Sequence, residues 1–215
     1  MNYGFIKDGV LTAPVAMCSV FDGIGAWHTL TDAERAEHGW YLCEVVNESV
    51  NPLKESRSEL PELAFDGEKI TAVYTVIEKS LGTIKTELLA ALAAYRFKCE
   101  VGGLTLGDGV HIATDRESKS QLNKTYVELK NGLIPDTDWK CTPDWQLRDL
   151  AQFEPIAKAL AAHDRGCFRS ERLVQGMIND ALGIPVLEMF NIGNLFDAAY
   201  QEAYAEVMTP EQAPE

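Results

Sequence analysis

Basic residues are scarce in this chain. Lys and Arg number 19 against 33 Asp and Glu, a net charge of −14 with no basic stripe along the sequence. That balance opposes binding to a phosphate backbone or an anionic membrane, so neither nucleic acid nor membrane is an expected partner. Long apolar runs are also missing. None approaches the roughly 20 residues that span a bilayer, and MNYGFIKDGV lacks the basic start and apolar stretch of a signal peptide. The chain is expected to begin its life soluble in a cytoplasm. The five cysteines, Cys18, Cys43, Cys99, Cys141 and Cys167, are odd in number, widely spaced and without a CxxC pair. This argues against a disulfide framework or a zinc ribbon and for free, mostly buried thiols. HExxH, an EF-hand loop and GxGxxG are absent, and GGLTLGDG lacks the Lys-Ser/Thr end of a phosphate loop. No cofactor and no metal is expected.

What the chain does have is apolar material, 46% of 215 residues, enough for one medium domain or two small cores. Residues 1–80 read as a small β-rich domain. Asp8-Gly9 and Asp66-Gly67 each stand between apolar runs as hairpin turns, the second leading into the alternation Ile70, Ala72, Tyr74, Val76. Between them Thr31 and Glu34 form a capping box for a short helix ending at Gly39, followed by a strand from Trp40 to Val46. NESVNPLKESRSELPE, polar and with two prolines, is expected to be a surface loop.

From Gly82 the period lengthens from two to about 3.6 residues. Ile84, Leu88, Leu92, Tyr95 and Cys99 predict a helix over Thr83 to Val101, stopped by Gly102-Gly103. LTLGDGVHI, with Gly107, Asp108 and Gly109 at its centre, predicts a small hairpin before a second helix from about Arg116 to Lys130. DTDWKCTPDWQLRDL predicts another hairpin, turning at Thr142-Pro143-Asp144, before a long helix from about Ala151 to Leu182. The expected fold class is α+β: the β-rich domain, a helix, hairpin, helix, hairpin, helix module over residues 81–183, and a C-terminal amphipathic helix with a polar tail over 184–215.

Two stretches carry residue types used in catalysis. HIATDRES gathers His111, Asp115, Glu117 and Ser118, a cast found in many hydrolytic sites. Thr114 stands three residues before Glu117 and Asp115 three before Ser118, just ahead of a helix, so the four polar residues Thr114, Asp115, Glu117 and Ser118 are read as a helix cap. Nothing in the spacing forces His111 and Ser118 into hydrogen-bond reach. On the long helix Ile156, Leu160, His163, Cys167, Val174, Ile178 and Ala181 share one stripe. His163 with Cys167 can serve as a thiolate–imidazolium nucleophile or half a metal site. A nucleophile needs exposure and an oxyanion site, and a metal needs a further ligand, so buried packing is the simpler account. No catalytic residue is assigned.

VLEMFNIGNLFDAAYQEAYAEVM places Ile192, Phe196, Ala199, Ala203 and Val207 on one face, with Met189, Phe190, Leu195 and Tyr200 beside or across from it. That stripe is too wide for a lone surface helix. Phe190, Ile192, Leu195, Phe196, Tyr200 and Val207 are therefore expected to include an intersubunit contact.

Two runs, AAYRFKCEVGGLTLGDGVHIATDRESKSQLNKTY and DWKCTPDWQLRDLAQFEPIAKALAAHDRGCFRSE, resemble the domain of unknown function at the C-terminal side of many bacteriophage tail-fibre and tail-associated proteins. There a helix ending "YR..E.GG" leads to a hairpin, a "TDR.SQ" helix start, a "W...DGW..L" hairpin and a helix containing "AH...CF". The resemblance covers about Leu81 to Asp180, with Ser120-Gln121 one position away from the pattern. WHTLTDAERAEHGWYLCEVV resembles the "L+..ER...GWY...E" segment that precedes the domain. The family usually stops soon after the long helix, so the C-terminal helix reads as an addition. The resemblance implies a non-enzymatic structural component of a phage tail, in the baseplate, tail tip or fibre attachment. Such a protein acts through contacts with other tail proteins and with its own copies, in the virion and, before assembly, in the host cytoplasm. A tail-fibre assembly factor absent from the finished particle and, less favoured, a small hydrolase or thiol enzyme are the alternatives.

Overall fold

The computed structural model describes residues 1–11, 15–16, 20–21, 24–25, 27–107, 109–140 and 145–209. Cys18, Asp108, Cys141, the Thr142-Pro143-Asp144 turn and the tail from Pro210 lie outside the described residues. The chain is mixed α and β, strands first and helices after, and divides into two compact units, Met1–Ser80 and Leu81–Glu215. Residues 184–209 thus lie in the second compact unit.

In the first unit β1 (Asn2–Lys7) turns into β2 (Val10–Leu11) through Asp8 and Gly9, both with positive φ, 52° and 79°. An Asp-Gly pair tolerates that backbone, which matches the twist of the strands it joins. β3 (Val15–Ala16) also pairs with β1, and β4 (Val20–Phe21) pairs with β5 (Ile24–Gly25). Trp27–Thr29 form one 3-10 turn, and α1 (Asp32–Glu37) starts at the capping box of Thr31 and Glu34. β6 (Trp40–Val46) lies antiparallel to β1 and parallel to β9 (Ile70–Val73), which closes a hairpin with β8 (Glu62–Phe65).

The stretch read as a surface loop therefore contains one strand, β7 (Glu55–Arg57), which pairs with β10 (Val76–Glu78) in a separate ribbon, and ends where β8 begins at Glu62. The side chains of β7 are all polar, so the hydrophobic pattern carries no trace of it. Backbone hydrogen bonds hold it, continued by Ser58 N–H to Thr75 O at 2.9 Å and Lys79 N–H to Lys54 O at 2.8 Å. The alternating run from Ile70 is also split at Tyr74-Thr75, its halves joining different sheets.

β6 buries both of its faces. Trp40 and Leu42 meet Tyr3, Phe5 and Trp27 on one side, while Tyr41, Cys43 and Val45 meet Ile70 and Ala72 on the other. The aromatic side holds a buried cation. Arg35 donates to Tyr3 Oη at 3.0 Å, Asp32 Oδ1 at 2.8 Å and Trp27 O at 3.2 Å, and its guanidinium lies 4.9 Å from the Tyr3 ring centroid. Arginine suits this position because its flat head stacks on rings while its fixed donors reach three acceptors.

The second unit is built on three long helices. α2 (Leu81–Val101), α4 (Leu150–Asp180) and α6 (Ile192–Met208) pack on one another. Between α2 and α4 the chain makes β11 (Leu104–Thr105) with β12 (His111–Ile112), then α3 (Arg116–Lys130), then β13 (Asp136–Lys140) with β14 (Trp145–Asp149). α4 begins at a capping box of Asp149 and Gln152, and its stripe from Ile156 to Ala181 is buried throughout. Val110, Ile112, Leu122, Leu129, Phe153, Ile156 and Leu160 form a core between α3 and α4, with Trp139 set edge-on to Phe153 at 5.0 Å. After Gly183 the chain forms α5 (Ile184–Glu188), with Pro185 in its first turn, and breaks before Asn191 caps α6. The C-terminal apolar segment is thus two helices.

Arg35→Ala should lower the stability of the first unit by about 3 kcal/mol, the scale of removing a buried hydrogen-bonded charge together with its packing. Denaturant titration of the full chain checks this; an unchanged midpoint would show that the aromatic cluster stands without its cation.

Candidate functional site

HIATDRES folds as three connected pieces. Asp115 is the N-cap of α3: Oδ1 accepts from the backbone N–H of Glu117 and of Ser118, both at 3.0 Å, and Oδ2 accepts from Ser118 Oγ at 2.6 Å. The Ser118 hydroxyl and these amides hold the Asp115 carboxyl below the usual carboxylate range. Thr114 does not cap. It is fully buried, and its Oγ1 accepts from Gly103 N–H at 2.9 Å. Gly103 turns the chain out of α2 with φ at +89°, and its amide needs an acceptor that the ended helix no longer supplies. The Glu117 carboxylate does not reach back to the cap and accepts from Gln121 Nε2 at 3.4 Å.

His111 lies over the same glycine. Its Nδ1 is 3.3 Å from Thr105 Oγ1, and a Cβ on Gly103 would fall 2.4 Å from the imidazole Cε1, so a side chain there would displace the ring. His111 and Ser118 both line a hollow of about 360 Å³ with Gln121, Asp138, Lys140 and Trp145. No hydrogen bond joins them, and the Ser118 hydroxyl is committed to Asp115. Among the described residues, the Ser118 hydroxyl in this hollow has a carboxylate and not an imidazole as its partner.

The second cluster lies where α2, α4 and α6 meet. His163 is almost completely buried, with Nδ1 2.7 Å from Tyr200 Oη and Nε2 3.2 Å from the Glu100 carbonyl. A carbonyl only accepts, so Nε2 carries the proton and Nδ1 accepts from the phenol. Burial holds the Tyr200 hydroxyl well above the usual phenol range, which keeps it a donor. Tyr200 reaches the imidazole because Gly166 clears its path: a Cβ there would lie 2.9 Å from Tyr200 Cδ2. Cys167, fully buried, has Sγ 3.9 Å from His163 Nε2. Neither ring nitrogen is free to act as a base toward that thiol.

An ionic collar surrounds the junction. Glu100 pairs with Arg96 and, at 3.0 Å, with Lys119; Lys119 reaches Asp164 at 2.9 Å; Arg96 Nε lies 3.2 Å from Glu171. Burial pushes the Glu100 carboxyl up, but Lys119 and Arg96 outweigh it and leave Glu100 below the usual range. Lys119 loses to burial and gains more from Asp164 and Glu100, so its ammonium sits above its ordinary value. Tyr95 donates to Asp197 at 3.0 Å, adding an α2–α6 tie. Among the described residues no group of three His, Cys, Asp or Glu side chains can hold a metal ion.

The six side chains expected to include an intersubunit contact are engaged with their own chain. Phe196 is fully buried, edge-on to Tyr95 at 5.3 Å, and Tyr200 serves His163. Phe190, Ile192, Leu195 and Val207 are half-buried. Packing against both α4 and α2 gives the wide stripe of α6 two neighbours inside the chain. Gly166 was the available signal: a glycine inside a long helix marks a close approach. The partners of His163 carry no such mark, since Tyr200 and Glu100 are remote in sequence.

A family model described as Domain of unknown function (DUF4376) matches residues 83–204. No curated protein and no solved structure matches the chain. The match runs through most of α6, so the C-terminal helix is not an addition to the family domain.

Asp115→Ala should cost about 0.5–2 kcal/mol as a lost cap. Thr114→Val, similar in shape but leaving Gly103 N–H unpaired, should cost about 1–3 kcal/mol. Thermal melts of both variants check this, and a neutral Thr114→Val would separate the hairpin tie from stability. Glu100 supplies a pH test. A carboxyl depressed on folding contributes stability above its unfolded value, about 4.3, and loses it as pH falls through the lower folded value. The deficit of Glu100→Gln against the parent should therefore shrink between pH 5 and about pH 3, followed by melts at each pH.

Proposed function

The chain belongs to the family described as Domain of unknown function (DUF4376), and from that premise we propose that it is a non-enzymatic structural component of a bacteriophage tail. It sits in the baseplate, the tail tip or the fibre attachment and works through contacts with other tail proteins and with its own copies. In this reading the helix, hairpin, helix, hairpin, helix run of residues 81–183 is the rigid module that holds those contact surfaces in register. The protein resides in the virion and, before assembly, in the host cytoplasm.

One observation carries this proposal. Among the polar side chains on which the resemblance to phage tail proteins rests, Arg96, Glu100, Thr114 and His163 join segments of the second unit, and Asp115 caps α3. A motif spent on scaffolding supports a role in shape and contact more than in chemistry. Apolar side chains for such contacts lie at the turn from α4 to α6, where Leu182 and Met189 are 95% and 84% exposed.

Mass spectrometry of purified particles tests the proposal. The chain is expected in fixed ratio to the tail proteins of intact virions. Abundance in the lysate with absence from particles would overturn it in favour of an assembly factor.

A further inference from the structure

We infer that the hollow between β12, the start of α3 and the β13–β14 ribbon binds a neutral saccharide, with Trp145 as the stacking platform and Asp138, Lys140 and Gln121 meeting its hydroxyls. The hollow lies wholly within the second unit, holds about 360 Å³ and does not depend on the tail assignment. That volume is at the low end of small-molecule sites, about 300–1,000 Å³, and suits a ligand of one or two rings.

The ribbon sets the platform. In an antiparallel pair, residues directly opposite share a face and successive residues alternate. Lys140 stands opposite Trp145 and Asp138 opposite Leu147, so Asp138, Lys140 and Trp145 project from one face. Trp139, between Asp138 and Lys140, packs edge-on to Phe153 at 5.0 Å and ties the ribbon to the helical core. Across the hollow, Ile112 is buried in that same core, and the Asp115 cap fixes the first turn of α3, the helix that brings Ser118 and Gln121 to the lining. The walls are thus built before any ligand arrives, which spares the cost of ordering them on binding.

The lining selects the ligand class. Trp145 is 61% exposed, an indole left open beside a concave surface. Among the described residues Asp138 makes no hydrogen bond or ion pair, and Lys140 meets only the Trp145 ring, with Nζ 5.8 Å from the centroid. Gln121 makes one long hydrogen bond, from Nε2 to Glu117 at 3.4 Å. The hollow therefore offers a carboxylate, an ammonium and an amide around an apolar plate. A phosphate gains little where Asp138 offsets Lys140 in a chain of net charge −14. A metal ion lacks ligands, since no group of three His, Cys, Asp or Glu comes together among the described residues. A pyranose matches the set. Its C–H face lies on the indole, its hydroxyls donate to Asp138 and accept from Lys140, and a vicinal pair engages both ends of the Gln121 amide. The sugar is bound and not cleaved: glycoside hydrolysis commonly uses two carboxyl groups flanking the bond, and Asp138 is the one carboxylate among the described lining residues.

The test follows the four tryptophan indole N–H signals of the isotope-labelled full chain by NMR. Methyl glycosides of glucose, galactose, mannose and N-acetylglucosamine are titrated separately. At least one should shift the Trp145 signal saturably, with a Kd of about 1 mM, the scale of a small ligand on an open site, and leave the signals of the buried Trp27 and Trp40 unmoved. Trp145→Ala, which also assigns the signal, should abolish binding as followed through the Gln121 backbone amide. Asp138→Ala and Gln121→Ala should each weaken it about tenfold. All three side chains are exposed, so melting temperatures should stay within about 2 °C of the parent. Gln121→Ala leaves the ribbon untouched, so its loss of affinity separates recognition from folding. No saturable shift with any of the four glycosides, unchanged affinity in any of the three variants, or a Trp145 response to inorganic phosphate alone would overturn the inference.

Discussion

A buried imidazole has to be satisfied at both nitrogens, and the helical unit is arranged around that requirement. His163 carries one donor and one acceptor into a site without water access, where each unpaired group would cost a few kcal/mol. The acceptor finds the Tyr200 hydroxyl and the donor finds the Glu100 carbonyl, which is available because α2 ends there and its last carbonyls lack helical partners. One side chain on α4 thereby specifies the end of α2 and the position of α6. Gly166, one turn along the same helix, removes the Cβ that would hold Tyr200 away. The collar of Arg96, Glu100, Lys119, Asp164 and Glu171 closes the surface over this junction. Apolar packing alone tolerates small slides between helices, whereas this set of directional bonds has one solution.

The first unit solves a similar problem with opposite chemistry. A cation, Arg35, is enclosed by Tyr3 and Trp27, and Asp32 at the start of α1 balances it. Both clusters draw on residues that read as a motif, "ER...GWY" in one unit and "YR..E.GG" with "AH...CF" in the other. In each, the motif residue is the polar group inside an otherwise apolar or aromatic core. Such residues tolerate few substitutes because geometry and charge must both be matched, and they stand out in a sequence for the same reason catalytic residues do.

Local signals made much of the fold legible. The Asp8-Gly9 turn, the Thr31–Glu34 box, the glycines ending α2 and the α4 stripe all act within a few residues, and each was readable at its own place. β7 was not, because its strand character comes from backbone pairing with a partner about 20 residues away and leaves no apolar alternation. Thr114 shows the same limit in a single side chain. Its spacing to Glu117 fits a cap, yet its hydroxyl serves Gly103 on the far side of a hairpin. The Asp115 cap was visible since donor and acceptor are three residues apart; the Thr114 tie was not since they are eleven apart. His163 was placed correctly inside by periodicity, but periodicity says nothing about Tyr200, 37 residues on.

The C-terminal helix is where local and non-local information diverge most. Its stripe is too wide for one partner, and two outlets exist for such a surface: another chain, or a second neighbour in the same chain. The choice depends on whether the preceding helices leave a groove of the right width, which Gly166 and the α2 terminus together create. Phe196 fills the groove beside Tyr95, and Tyr200 reaches its floor. The family match ends at 204, just past Ala203, the last fully buried residue of α6, while the remaining half-turns carry Glu206 to exposed partners Arg165 and Arg169. Those exposed pairs add little to stability. The structural domain therefore closes on the groove, and any contact with another protein falls to the apolar side chains that the groove leaves outside.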